Sequence, residues 1–75
     1  MNIFEIYNKL TSITNEIIIN GYYSYAKPKD LLLINTTKGS FTGNAIIIFP
    51  FYTYVISLYN SRIYDIANKD IISID

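Results

Sequence analysis

Apolar residues recur at Ile3, Ile6, Leu10, Ile13 and Ile17, in steps of three and four. Such a stripe runs along one face of an amphipathic helix. Phe4 and Tyr7 widen that face, while Asn8, Lys9, Ser12, Asn15 and Glu16 fall on the wet side. Asn2 stands at the cap position with Glu5 three residues on, the spacing of a capping box. The pattern predicts a helix from Ile3 to about Glu16.

The next stretch, "IIINGYYSYA", supports two readings. Asn20-Gly21 between β-branched and aromatic residues is a hairpin signal. A glycine just past an apolar stripe is equally the usual stop of a helix. Both readings stay open from Ile17 to Tyr25. "AKPKD" is a loop on either, because Pro28 pushes Lys27 out of helical space.

From Leu31 onward the pattern is that of strands. "LLLINTT", "FTGNAIIIF", "YVISLY", "RIYDIA" and "IISI" are separated by "KGS", "PFY", "NS" and "NKD". Gly43 marks a bend or bulge within the second strand. Five short strands at this spacing fit a meander in a small barrel. The uncharged run from Ala45 to Asn60 is then two strands joined at Phe49-Pro50-Phe51. A spanning helix needs about 20 mostly apolar residues, and Pro50 in its interior would cost about 3 kcal/mol. In "YTYVISLY", Tyr52, Tyr54, Ile56 and Leu58 share one face and Thr53, Val55, Ser57 and Tyr59 the other. Neither face carries a charge, which suits a strand that meets another subunit.

The expected architecture is one α+β domain over residues 1–75, an N-terminal helix followed by a five-stranded antiparallel barrel. "LLLINTTKG", the bent "FTGNAI", "YVISLYNS" and the closing "IANKDIISI" resemble, in that order, the Sm-like, Hfq-like family of small SH3-type barrels. The resemblance implies ring-forming subunits and RNA as a partner. In its closing motif only Lys69 has a counterpart among the residues that the family uses. Gly39 and Gly43 are spaced one residue closer than in the family, and Phe49-Pro50-Phe51 replaces its polar pair.

Composition sharpens the picture in three ways. Apolar residues make up 51% of a 75-residue chain that has no cysteine and no histidine. So small a domain buries only part of its surface and needs a staple. Disulfides are excluded and the usual zinc ligands are missing, so self-association is the expected staple. Six basic residues balance six acidic ones and are scattered apart from "KPK", unlike the clustered cations of a non-specific nucleic-acid binder. Glu5 stands where a secretory signal carries positive charge, and the expectation is a cytoplasmic protein without membrane contact. The abundance of Ile, Asn and Tyr is compatible with an AT-rich bacterial, phage or plasmid source.

Candidate binding residues are Tyr22, Tyr23, Tyr25, Lys27, Lys29, Arg62 and Lys69; candidate oligomer contacts are Tyr52, Tyr54, Val55 and Ile72. Clustered tyrosines beside lysines can stack bases and hold phosphates, but tyrosine also favours strands and protein interfaces. Asp65, Asp70 and Asp75 read as solvated turn or terminal residues. No nucleophile motif, cofactor motif or metal set is recognised. The expected function is a small non-enzymatic homo-oligomeric binding protein, a phage- or plasmid-type modulator that binds a host protein or sequesters a small ligand. An Sm-like RNA binder is the alternative.

Overall fold

The computed structural model describes the whole chain except Asn15, Tyr22, Lys29, Asp30, Leu58, Tyr59 and the side chain of Asn20. The fold is α+β. Helix α1 (Ile3–Ile13) is followed by β1 (Ile17–Asn20), β2 (Tyr23–Ala26), β3 (Leu32–Thr36), β4 (Gly39–Gly43) and β5 (Ala45–Ile48). Then come β6 (Tyr52–Ser57), β7 (Arg62–Ala67), a 3-10 turn (Asn68–Asp70) and β8 (Ile71–Ile74).

The capping box at the start of α1 is present. Asn2 Oδ1 accepts from the Glu5 N–H at 2.9 Å, and Glu5 Oε1 accepts from the Asn2 N–H at 3.2 Å. The helix ends at Ile13, three residues short of the expected Glu16. Thr14 turns extended, while its N–H still donates to the Leu10 carbonyl at 2.8 Å. Of the stripe, Ile6 and Leu10 are buried and Ile13 is exposed. Ile17 has left the helix for a strand, opposite Ala26.

The open question of Ile17 to Tyr25 resolves to a hairpin. β1 and β2 pair antiparallel, and Gly21 takes a positive φ of 59° between them. That conformation is cheap for glycine and costly for residues with a Cβ. β2 in turn pairs with β5, Ser24 opposite Ile48.

Eight strands among the described residues form two sheets, ordered β1-β2-β5-β6-β7 and β4-β3-β8, and no closed barrel. The excess over five has two sources. The hairpin adds β1 and β2, and the strand expected at Phe41–Phe49 divides at Asn44 into β4 and β5. β4 pairs with β3, whereas β5 pairs with β2 and β6, so this corner carries the chain from one sheet to the other. Gly43 makes the corner possible. A Cβ there would fall 2.5 Å from Val55 Cγ1 and 2.9 Å from the Ile56 carbonyl oxygen.

The core lies between the two sheets and α1. Ile6 and Leu10 join Ala26, Ile46, Ile48, Val55 and Ile66 from the larger sheet and Leu32, Ile34, Ile71 and Ile74 from the smaller. Ser24 reaches the same interior and is satisfied by Tyr7, its Oγ donating to the phenol oxygen at 2.9 Å. On the far side of the small sheet, Asn35 stitches three strands. Its Nδ2 donates to Ser73 Oγ at 2.9 Å and its Oδ1 accepts from Ser40 Oγ at 2.8 Å. Among the described residues no helix is long and apolar enough to cross a membrane.

Candidate interaction surface

Register divides the larger sheet into two faces. Ile17, Ala26, Ile46, Val55 and Tyr64 form one cross-strand row on the inner face, and Ile19, Ser24, Ile48, Thr53 and Ile66 another. The outer face carries the row Ile18, Tyr25, Ile47, Tyr54 and Asp65, which crosses all five strands. Two positions along lie Tyr23, Phe49 and Tyr52, and on the other side lie Ile56 and Ile63. The rings form a run. Phe49 sits 5.9 Å from Tyr23 and 5.3 Å, edge to face, from Tyr54. Strand alternation dictates this arrangement, since apart from Ala45 every second residue of β2, β5 and β6 here is aromatic or isoleucine. Cross-strand aromatic pairs of this kind stabilise a sheet, but large rings left on the outside also mark contact surfaces. Among the described residues of these strands, Asp65 is the charged one on this face.

The sequence placed Tyr23 and Tyr25 in a ligand site and Tyr52 and Tyr54 at a subunit contact. The structure brings all four onto one surface. Val55 is different: it points into the chain's own core and is fully buried. It is therefore not an oligomer contact, and the uncharged Thr53–Val55–Ser57 face meets the core instead of another subunit. Ile72 is exposed, but on β8 of the smaller sheet. Lys27 is exposed just past β2, and its carbonyl accepts from Thr14 Oγ1. Arg62 begins β7 opposite Ser57, with its N–H donating to Asn60 Oδ1 at 3.0 Å. That is the other end of β6 from Tyr52. Tyr22 and Lys29 lie outside the described residues. Asp70 lies 3.9 Å from Lys38 as an ion pair, and Asp75 accepts from Asn35 at 3.3 Å.

A cleft adjoins the aromatic face. It has a volume of about 730 Å³ and is lined by Met1, Asn2, Glu5, Pro50, Phe51, Tyr52, Ala67, Asn68 and Lys69. Phe51 is 78% and Tyr52 53% exposed. Lys69 and Glu5 bring opposite charges to its lining, and Glu5 Oε1 also accepts from the Asn2 N–H. The cleft owes its shape to Asn68, a buried residue that sequence reading passed over as part of a turn. Asn68 Oδ1 accepts from Thr53 Oγ1, and its Nδ2 donates to the carbonyls of Phe49 (2.8 Å) and Pro50 (3.2 Å). Its backbone N–H donates to the Phe51 carbonyl at 2.8 Å. One side chain thus clamps the Phe49–Phe51 turn onto the 3-10 turn. A signal was present in the pattern: Tyr64, Ile66 and Asn68 share one parity, so the inward positions of β7 run on to Asn68.

Compared with protein-family models, curated proteins and solved structures, the chain finds no match in any of the three. The functional reading therefore rests on the surface itself.

Proposed function

We propose that the chain is a non-enzymatic, homo-oligomeric protein-binding module of the cytoplasm, and that the outer face of its five-stranded sheet is the recognition surface. The observation that carries this reading is the cross-strand run Tyr23–Phe49–Tyr54 with Tyr25, Ile47 and Tyr52 around it. Tyrosine presents a broad apolar body with a polar tip, at the cost of few rotatable bonds, and is enriched at protein contacts. A chain with balanced charge suits a protein partner better than a polyphosphate. A phage- or plasmid-type modulator of a host protein fits this size and surface.

The kinship proposed for the fold is with Sm-like small barrels. Strand order supports it: helix, β3, the bent β4–β5 pair, β6, β7, a 3-10 turn, and β8 returning to β3. The β1–β2 hairpin is then an addition laid on β5. A second function follows from the cleft. Phe51 and Tyr52 could stack bases while Lys69 meets a phosphate, with Glu5 opposing the anion.

Two measurements separate the readings. Immobilised wild-type chain should retain proteins from a cell extract that a Tyr23→Ser/Tyr25→Ser variant of unchanged circular dichroism does not. Anisotropy with a labelled single-stranded RNA should show no binding at moderate salt. Tight RNA binding that falls steeply with salt and on Lys69→Ala would replace the protein-binding reading with the second.

A further inference from the structure

We infer that β1 is a dimerisation edge, pairing antiparallel with β1 of a second copy to form one ten-stranded sheet. The inference rests on the homo-oligomeric reading above and names the contact. Among the described residues β1 pairs with β2 alone, so its other edge presents unpaired peptide groups. Natural sheets guard such edges with charge, proline, bulges or cover. The other edges have guards: β7 carries Arg62 and Asp65, β8 is flanked by Asp70 and Asp75, and β4 follows Lys38 and holds two glycines. β1 follows Glu16, but within the strand it reads Ile-Ile-Ile-Asn, with no charge, glycine or proline, and no charge follows it directly. Ile18 is 62% and Ile19 72% exposed, on opposite faces of the strand. A covering helix or loop would bury one face; only another strand uses the peptide groups and both faces together.

The occupant that fits is a second copy, because the strand is complementary to itself. A two-fold axis normal to the sheet keeps both outer faces on the same side, so paired residues must have the same parity. Ile18 then faces Ile18 of the second copy, and Ile17 faces Ile19. In this register Glu16 falls opposite position 20 rather than opposite its own equivalent, so no like charges meet. The row Tyr54, Ile47, Tyr25, Ile18 would continue unbroken into Ile18, Tyr25, Ile47, Tyr54 of the second copy, doubling the recognition surface.

The test uses the full chain. Multi-angle light scattering should give wild-type protein at least twice the chain mass, and Ile19→Lys half the wild-type mass with unchanged circular dichroism. Because the chain has no cysteine, Ile18→Cys should oxidise to a covalent dimer in near-full yield, whereas Ile63→Cys on the opposite edge should not. Loss of circular dichroism in Ile19→Lys leaves the cysteine pair to decide. A monomeric wild type overturns both this inference and the oligomeric reading. An oligomer that survives Ile19→Lys folded, or that cross-links through Ile63→Cys and not Ile18→Cys, overturns the β1 contact alone.

Discussion

At the scale of single residues, two positions hold the fold in ways their neighbours do not. Gly43 is needed for closeness rather than for an unusual φ. An added methyl meets Val55 Cγ1 and the backbone of Ile56 at the strand corner, and backbone does not yield as a flexible side chain would. Gly43→Ala should destabilise the domain by roughly 1–3 kcal/mol, the range for overpacking a core, read as a lower midpoint in urea. Asn68→Ala should cost about 2 kcal/mol or more, because it leaves the Thr53 hydroxyl and the Phe49 and Pro50 carbonyls short of partners. Its signature is local. Hydrogen exchange should quicken at the amide of residue 68, which donates to the Phe51 carbonyl, and at Phe49, whose amide donates to the Tyr52 carbonyl, before it quickens in β3. Thr53→Val should be milder, about 1 kcal/mol, since it removes one of Asn68's bonds and conserves volume. The glycine was legible in the sequence because a lone glycine in a strand signals a bend. The asparagine was not, because an Asn between Ala67 and Lys69 has the composition of a solvated turn, and only the partners it meets make it a clamp.

At the scale of elements, legibility followed how many physical cues agreed. Helix α1 had a stripe, a cap and a capping box, and its start is where those cues put it. Its end was misplaced because Ile17 continues the helical stripe while being a strong strand residue. The decision came from far along the chain, where β5 offers its edge to β2. A local pattern does not encode that. β6 shows the same limit. Both of its faces are uncharged, and the buried one carries Thr53 and Ser57 while the outer one carries tyrosines. Hydropathy alone ranks neither face as core. Helix packing itself is testable. Leu10 is fully enclosed between the sheets, so Leu10→Ala should cost about 2–5 kcal/mol, the usual range for a buried leucine. Phe4→Ala, on the exposed side of the same helix, should change the thermal midpoint little. Equal effects from the two would mean that α1 does not sit on the core as described.

At the scale of the whole molecule, an apolar share of 51% exceeds what one small core absorbs. Part of the excess gathers on one face, while Phe4, Ile13, Leu31, Leu33 and Ile72 are exposed elsewhere. The outer face of the larger sheet takes up the uncharged run that stands out in the sequence, through Ile47, Phe49, Tyr52, Tyr54 and Ile56, and adds Tyr23 and Tyr25 from the hairpin. Which residues were aromatic and uncharged was plain from the sequence; that they gather on one face depended on the β2–β5 pairing. We propose above all that this face recognises another protein. The most direct measurement compares proteins retained from a cell extract by three immobilised chains, with folding matched by circular dichroism. These are wild type, Tyr23→Ser/Tyr52→Ser on the face, and Arg62→Ala at the far end of β6. Wild type should retain a set of proteins that the face variant loses at least tenfold and the Arg62 variant keeps. A retained set unchanged by the face variant, or lost only with Arg62, would contradict this proposal.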